Sequence, residues 1–216
     1  MRIVAPPGVF RPRSDSWMLA DAAREQLRPG ASVLDLCTGS GAVAVAAALA
    51  GAERVTAVDL SRRAVATARV NAFLNGTGLR AVRGSLFEPL GDERFDLIVS
   101  NPPYVPAEDA GPPRGQARAW DAGHDGRELL DPLLARAPAH LSPGGALLVV
   151  HSSITGEQIT LDAMRAGGLE PAVVRRERSP LGPLHGSRAE LLERRGLLEP
   201  GQREEEVMVI RGTAPL

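Results

Sequence analysis

From residue 32 onward the chain alternates two rhythms: short unbroken apolar runs, and longer stretches in which apolar residues recur at every third or fourth position. An unbroken run predicts a strand buried on both faces, and the helical spacing predicts a helix with one buried side. SVLDLC (32–37), RVTAVDL (54–60), LRAVRG (79–84), FDLIVS (95–100) and GALLVVH (145–151) are the predicted strands. Predicted helices over 41–51, 61–76 and 126–141 lie between them, the second capped by Ser61 and the third carrying a proline that starts or kinks it. An earlier helix over 15–27 sets Trp17, Leu19, Ala20, Ala23 and Leu27 at helical spacing and ends at RPG, 28–30. Strands alternating with helices predict a parallel sheet covered on both faces.

After residue 151 the rhythm changes. A helix over 155–169 opens with Thr155 and Gln158 at capping-box spacing, and 170–177 reads as a strand. A short helix over 187–196 has a second capping box at Ser187 and Glu190, and 204–211 reads as the last strand. A seventh strand returning beside the sixth after so short an excursion predicts antiparallel pairing. The expected architecture is one α/β domain over 1–216: a Rossmann-like, seven-stranded, mostly parallel sheet with an antiparallel C-terminal hairpin and helices on both faces. Residues 1–29 form its N-terminal arm and helix, 30–151 its cofactor-binding core, and 152–216 a C-terminal region on the substrate side.

Composition excludes some classes. Hydrophobic content of 44% with a net charge of −1 predicts a folded globule, and no apolar run approaches the length of a membrane span. The opening MRIVAPPGVFRPR lacks the apolar core of a secretory signal, so the expected location is cytoplasmic. The one cysteine, Cys37, has no partner for a disulfide or a cysteine-based zinc site, and His140, His151 and His185 show no metal-ligand spacing and receive no chemistry. The chain has no lysine; its 25 basic residues are all arginine. The clusters at Arg11 and Arg13, at Arg175, Arg176 and Arg178, and at Arg194 and Arg195 are either a surface for RNA or an acidic protein, or ordinary solvated faces. The near-neutral balance gives no strong nucleic-acid signal.

Two stretches carry candidate chemistry. In VLDLCTGSGAVA, Gly39 and Gly41 follow a strand and open a helix, where a tight backbone with exposed N–H groups admits a ligand closely. Asp59 ends the next strand, where an acid reaches ribose hydroxyls in an open α/β sheet. With Ala44, the glycines also fit the G-x-G-x-x-A pattern of a nicotinamide site, and a bare glycine turn is sometimes only a connection. Asp35 inside the strand suits the amino group of the methionine part of S-adenosylmethionine and gives NAD nothing.

The second stretch, FDLIVSNPPYVP, leaves the fourth strand with Asn101 followed by two prolines. The Asn101 side-chain oxygen and the Pro102 carbonyl are two acceptors for one NH2 group, and Tyr104 offers a stacking face. An amide or aromatic amine is a poor nucleophile because its lone pair is delocalised. A catalyst for its methylation must therefore hold the NH2 and aim the lone pair, and needs no compulsory general base.

VLDLCTGSGAVA, VTAVDLS, FDLIVSNPPYVP and the preceding FRPRSDSWMLADA together resemble the HemK family of S-adenosylmethionine-dependent methyltransferases, in register from about Val9 to His151 and more loosely beyond. The resemblance implies a class I methyltransferase fold that methylates the side-chain nitrogen of a protein glutamine in a translation release factor. It implies cofactor contacts from Ser16, Asp35, Cys37, Gly39, Gly41, Asp59, Leu60, Ser85, Leu86 and Asn101. It puts the acceptor amide on Asn101 and Pro102. Tyr104 as a stacking face, and Pro103 and, from the loop that follows, Trp120 on the substrate side, are expectations from the residues themselves. Cys37 stands where a glycine is common, and Ser85 where an Asp commonly holds the adenine amino group. Bacterial release-factor enzymes of this family carry an N-terminal helical domain, whereas only about 30 residues precede the first strand here. That resembles the compact archaeal and eukaryotic members, some of which need a small zinc-binding activator. NPPY also occurs in N6-adenine and guanine-N2 methyltransferases, so a nucleic-acid base or a small molecule stays an alternative acceptor. A non-catalytic nucleotide-binding module is the remaining rival.

The long connection 102–126 predicts a lid or binding loop. His124 and Asp125 read either as a base pair or, for Asp125, as a helix N-cap, and Arg114 and Arg118 either meet an acidic partner or are solvated.

Overall fold

The computed structural model describes residues 1–108, 111 and 115–216, with backbone only at 116 and 118. Its elements are α1 (Ser14–Gln26), β1 (Ser32–Leu36), α2 (Ala42–Leu49), β2 (Arg54–Asp59), α3 (Arg62–Leu74), β3 (Arg80–Arg83), β4 (Phe95–Ser100), α4 (Leu130–Arg136), β5 (Leu141–Ser152), α5 (Glu157–Ala166), β6 (Glu170–Pro180), α6 (Pro183–Ser187), α7 (Ala189–Arg194) and β7 (Glu204–Thr213). One seven-stranded sheet runs in the order β3-β2-β1-β4-β5-β7-β6, parallel except for β7, which is antiparallel to both neighbours. The expected C-terminal hairpin is present, with β7 inserted beside β5 and β6 left at the edge.

The period of two along each central strand divides the core into two layers. Val33, Leu97, Val99, Leu148 and Val150 face α1 and α2, meeting Leu19, Ala23, Val43 and Ala47. Leu34, Leu36, Ile98, Leu147 and Val149 face the other way, toward Leu130, Leu133, Leu134 and Met164. Both faces of β1 are covered, so all five of its residues are buried, Asp35 included.

The chain runs from β1 outward to β3 and returns to β4 on the other side of β1, so the sheet has its switch point between β1 and β4. Ligands bind in such sheets outside the carboxyl ends of the strands at that point. Because β7 runs the opposite way, its first residues arrive at the same edge: Ser152, the last residue of β5, pairs with Val207.

Local details depart from the sequence reading where another partner wins. Ser61 caps α3 as expected, its Oγ accepting from the Ala64 amide at 3.3 Å. Neither predicted capping box forms. The Thr155 hydroxyl donates to the Tyr104 carbonyl and leaves α5 capped by Gly156, and the Ser187 hydroxyl donates to the Leu184 carbonyl. Asp125 is not a helix N-cap either. It accepts from the Arg127 amide in a tight turn, Gly126 lies in the left-handed region at φ +81°, and α4 starts only at Leu130. Glycine is required at 126, because a Cβ there would stand 2.4 Å from the Tyr104 carbonyl oxygen.

The N-terminal arm is tied down rather than loose. Asn71 on α3 and Asn75, the residue that caps its C-terminus one turn later, each both accept from and donate to the arm backbone, at Val4 and Arg2 respectively. Asn71 also donates to the Ser40 carbonyl, which joins the arm to the glycine loop. The arginines of β6 are occupied by ion pairs: Arg175 with Glu25, Arg176 with Glu157 and Glu206, and Arg178 with Glu204. That cluster is therefore a neutralised ladder, the bland reading of its sequence. Among the described residues no helix is long and apolar enough to cross a membrane.

Candidate active site

At the end of β1 the backbone is held in conformations that side chains resist. Cys37 has φ +57° and Leu86, beyond the end of β3, has φ +47°; among the described residues these are the non-glycine residues with positive φ. Such positions cost about 1–3 kcal/mol each and collect at ligand sites. The Cys37 geometry explains why a glycine suits this position. Burial, with Asp59 and Asp35 adding to it, pushes its thiol up to about 12. Gly41, at φ +79°, also has a packing reason: a Cβ there would meet Ala68 of α3 at 2.7 Å.

Two acids fasten this loop. Asp59 accepts from the Gly39 amide at 2.9 Å and the Ser61 amide at 2.8 Å, and burial raises its pKa against those donors. Asp35 is 2% exposed and accepts from the Thr38 hydroxyl at 2.5 Å and the Ala44 amide at 3.1 Å, both through one oxygen. Burial pushes Asp35 up to about 7, with the donors opposing and Asp59 assisting. It has no basic partner among the described residues. A buried acid of this kind lacks a counter-charge, which an ammonium group supplies. Leu60 is exposed at 58%, and Ser85 is half-buried next to Leu86, its carbonyl accepting from the Glu88 amide.

The β4 tip lies across the switch point and is assembled by side chains. The Ser16 hydroxyl donates to Asp15 at 3.1 Å and accepts from the Arg13 amide at 3.3 Å and from Asn101 Nδ2 at 3.1 Å. Its single proton is committed to a carboxylate, which fixes the Asn101 amide: NH2 toward Ser16, Oδ1 the other way. Tyr104 donates its hydroxyl to the other Asp15 oxygen at 3.0 Å, and burial, then Asp15, raises its pKa well above 10. Asn101, Pro102, Pro103, Tyr104 and Trp120 line one cleft of about 500 Å3, together with Asp15. The same cleft takes in His185 and Glu205 from the β6–β7 excursion.

The connection after Asn101 folds back on itself. Val105 donates to the Trp120 carbonyl at 2.8 Å and accepts from the Ala122 amide at 2.9 Å, which brings Trp120 to the cleft wall. Arg188 clamps this loop from α6 and α7, donating to Asp121 at 2.6 Å, the Pro106 carbonyl at 2.8 Å and Glu108 at 3.1 Å. Arg195 adds the Ala107 and His124 carbonyls. Arg114 and the Arg118 side chain lie outside the described residues.

A methyltransferase small domain family model matches residues 1–116. Over 154 residues the chain is 42% identical to a release factor glutamine methyltransferase of Geobacter sulfurreducens, covering 68% of this chain and 54% of that protein. Over 179 residues it is 33% identical to a Methanocaldococcus jannaschii protein provisionally named a protein N5-glutamine methyltransferase, covering 82% of this chain and 89% of that one. The chain belongs to the HemK family of methyltransferases. Its fold is that of the class I enzymes. A chain of the E. cuniculi Mtq2-Trm112 complex, described as responsible for methylating the eRF1 termination factor, superposes with a TM-score of 0.67 at 22% identity, covering 96% of this chain and 99% of that one. The match to the Geobacter protein spans about half that protein's length.

Within this HemK-family chain, the structure gathers the predicted residues at one sheet edge in two groups, Asp35 to Leu86 on the β1–β3 side and Asn101 to Trp120 on the β4 side. Ser16 joins the second group, contacting Asn101. Sequence reasoning passed over Asp15, Arg188 and Glu205, read Arg195 only as part of a basic cluster, and gave His185 no chemistry. Asp15 carried a signal, being an acid directly beside Ser16 in the arm; Arg188 and Arg195 act across 67 residues or more, and His185 and Glu205 pair across 20, with Glu205 reaching Ser152 across 53.

Proposed function

We propose that the chain transfers a methyl group from S-adenosylmethionine to the side-chain amide nitrogen of a protein glutamine, with a translation release factor as acceptor, and that residues 1–216 act as one catalytic domain. The observation that carries this reading is the fixed Asn101 amide. With Nδ2 bound by Ser16, Oδ1 is left as an acceptor without a partner among the described residues, next along the chain to the Pro102 carbonyl, and the pair suits one planar NH2 group. The glutamine-methyltransferase names of the relatives support the acceptor class.

When bound, S-adenosylmethionine supplies an electrophilic sulfonium methyl. In the proposed site Asp35 pairs with the cofactor's ammonium through its unused oxygen. Asp59 and Leu60 take the ribose, and Ser85 and Leu86 flank the adenine. Cys37, Gly39 and Gly41 contribute backbone on the methionine side, and Ser16 and Asn101 close the cofactor pocket from β4. On the acceptor side Asn101 and Pro102 would hold the two amide hydrogens, which orients the nitrogen so that its lone pair, perpendicular to the amide plane, faces the methyl group; one of those hydrogens leaves as a proton to solvent after transfer. Tyr104, Pro103 and Trp120 wall the cleft and exclude water. A small activator subunit is part of the proposal, supported by the complex in which the E. cuniculi protein was solved.

A nucleic-acid acceptor is disfavoured by the internal pairing of the β6 arginines. The test is incubation with labelled S-adenosylmethionine and a panel of release factor, RNA, DNA and cell-extract metabolites. Label on a glutamine of the release factor is the expected result; label on nucleic acid or on a metabolite alone overturns the acceptor assignment.

A further inference from the structure

His185 stands outside the residues matched by the family model, on the short α6 helix, and it reaches the acceptor cleft. Its ring is 3% exposed and lies 6.3 Å from the Tyr104 ring, centroid to centroid. Nδ1 faces Glu205 at 2.8 Å. Glu205 is itself fixed by the Gly182 amide at 2.7 Å and by the Ser152 hydroxyl. Burial pushes Glu205 up, but the donors of His185, Gly182 and Ser152 outweigh it and keep the carboxylate ionised. An ionised Glu205 requires a proton on Nδ1, so Nε2, across the ring, is left over. Among the described residues Nε2 is buried with no hydrogen-bond partner.

An orphaned buried nitrogen in a well-packed wall is costly, and a neighbour with a fixed carboxylate makes its orientation deliberate rather than accidental. His151 offers the contrast: it also has a buried, unpartnered Nε2, but it sits within β5, and burial pushes it down to about 4. His185 instead shares its cleft with Asn101, Pro102 and Tyr104.

The geometry points to His185 as a binding group for the acceptor chain: held by Glu205, its unpartnered Nε2, covered by the cleft wall in this structure, hydrogen-bonds a polar group of the peptide flanking the methylated amide once that peptide displaces the cover. This rests on the proposed protein-glutamine acceptor. It makes the β6–β7 excursion the specificity element of the site, built on a dyad that the glycine loop and NPPY do not contain.

The test is steady-state transfer to a recombinant release factor with wild type, His185→Phe and His185→Gln, alongside calorimetry with S-adenosylmethionine. His185→Phe keeps the ring volume and removes the nitrogen. It is expected to raise the acceptor KM about tenfold, the size of one hydrogen bond, with kcat and cofactor affinity within twofold. His185→Gln, which keeps a polar tip, is expected to recover part of the loss. A KM within twofold of wild type for His185→Phe overturns the inference. On the wild-type protein, the His185 side-chain 15N signals are expected to move when the release factor is added; unmoved signals overturn it even if the variants fail to fold. Wild type that methylates no glutamine overturns the functional reading and this inference together, whereas an active wild type with indifferent variants overturns this inference alone.

Discussion

The two sides of the sheet's carboxyl edge are built by different means. On the β1–β3 side the surface is mostly backbone, held by strain at Cys37 and Leu86 and by two acids that accept from amides within 20 residues. On the β4 side it is a side-chain network joining segments up to 89 residues apart, from Asp15 and Ser16 to Asn101 and Tyr104, with Arg188 reaching the loop from 67 to 82 residues away. The first kind of site is pre-formed wherever the strand–loop–helix unit folds. The second exists only when the whole domain has closed around it.

Substitutions should therefore separate into those that weaken cofactor binding and those that slow transfer. The largest effect is expected at Asn101→Ala, which removes the amide acceptor. Turnover should fall by about 10²-fold or more, near 3 kcal/mol, with a much smaller loss of S-adenosylmethionine affinity. Unchanged turnover in a single-turnover assay breaks the comparison at its centre.

On the other side, Asp35→Asn is expected to weaken cofactor affinity by about 2 kcal/mol in calorimetry, the size of a lost charge-assisted hydrogen bond. The wild-type affinity should also depend on pH. Asp35 titrates at about 7 in the free protein, so it must give up its proton to pair with an ammonium below that pH. Affinity is expected to rise with pH up to about 7 and then level off, and in the Asn variant this slope should vanish. The folding linkage has the opposite sign. A carboxyl raised from 3.8 to about 7 favours the folded state at low pH, and that contribution is lost as pH rises through 7. Asp35→Asn should consequently raise the melting temperature at pH 8 relative to wild type while weakening binding. An affinity that stays flat across pH 5–8 removes Asp35 from the cofactor site.

Smaller effects test the acceptor half. Arg188→Ala leaves Asp121 unpaired and frees the 105–121 loop, with an expected loss of about 2 kcal/mol in kcat/KM for the acceptor and none in cofactor affinity. Tyr104→Phe removes one hydrogen bond to Asp15 and is expected to lose about 1 kcal/mol in the same assay. The smallest consequence concerns Cys37. With its thiol pushed up to about 12, labelling by a thiol reagent at pH 8 should run about 10³-fold slower than for an ordinary cysteine. Rapid labelling would mean that the loop opens.

Most of the fold was legible because its signals are local. Four of the parallel strands announced themselves as apolar runs, and FDLIVS was predicted to the residue, since burial on both faces leaves little freedom in composition; the third, β3, is mostly exposed and showed only in its alternation with helices. Gly39, Asp59 and Asn101 were legible for a related reason: each ends or follows such a run, and the parallel topology sends every run's end to the same edge. Where the reading missed, a local rule met a distant competitor. Thr155 and Ser187 sit at capping spacing, yet their hydroxyls bond elsewhere, and Asp125 precedes a helical pattern that Gly126 delays.

The sequence by itself therefore determined the strand–loop–helix units and which residues stand at the strand ends, the proposed NH2-holding pair among them, because spacing along one chain sets both. Only the tertiary structure decided which way the Asn101 amide faces, what secures the loop beyond it, and that His185 and Glu205 belong to the cleft. Those depend on β7 running antiparallel to β5, which returns a distant segment to the edge where the parallel strands end. A reversed strand at that edge leaves no periodic mark in the sequence of the residues it brings together.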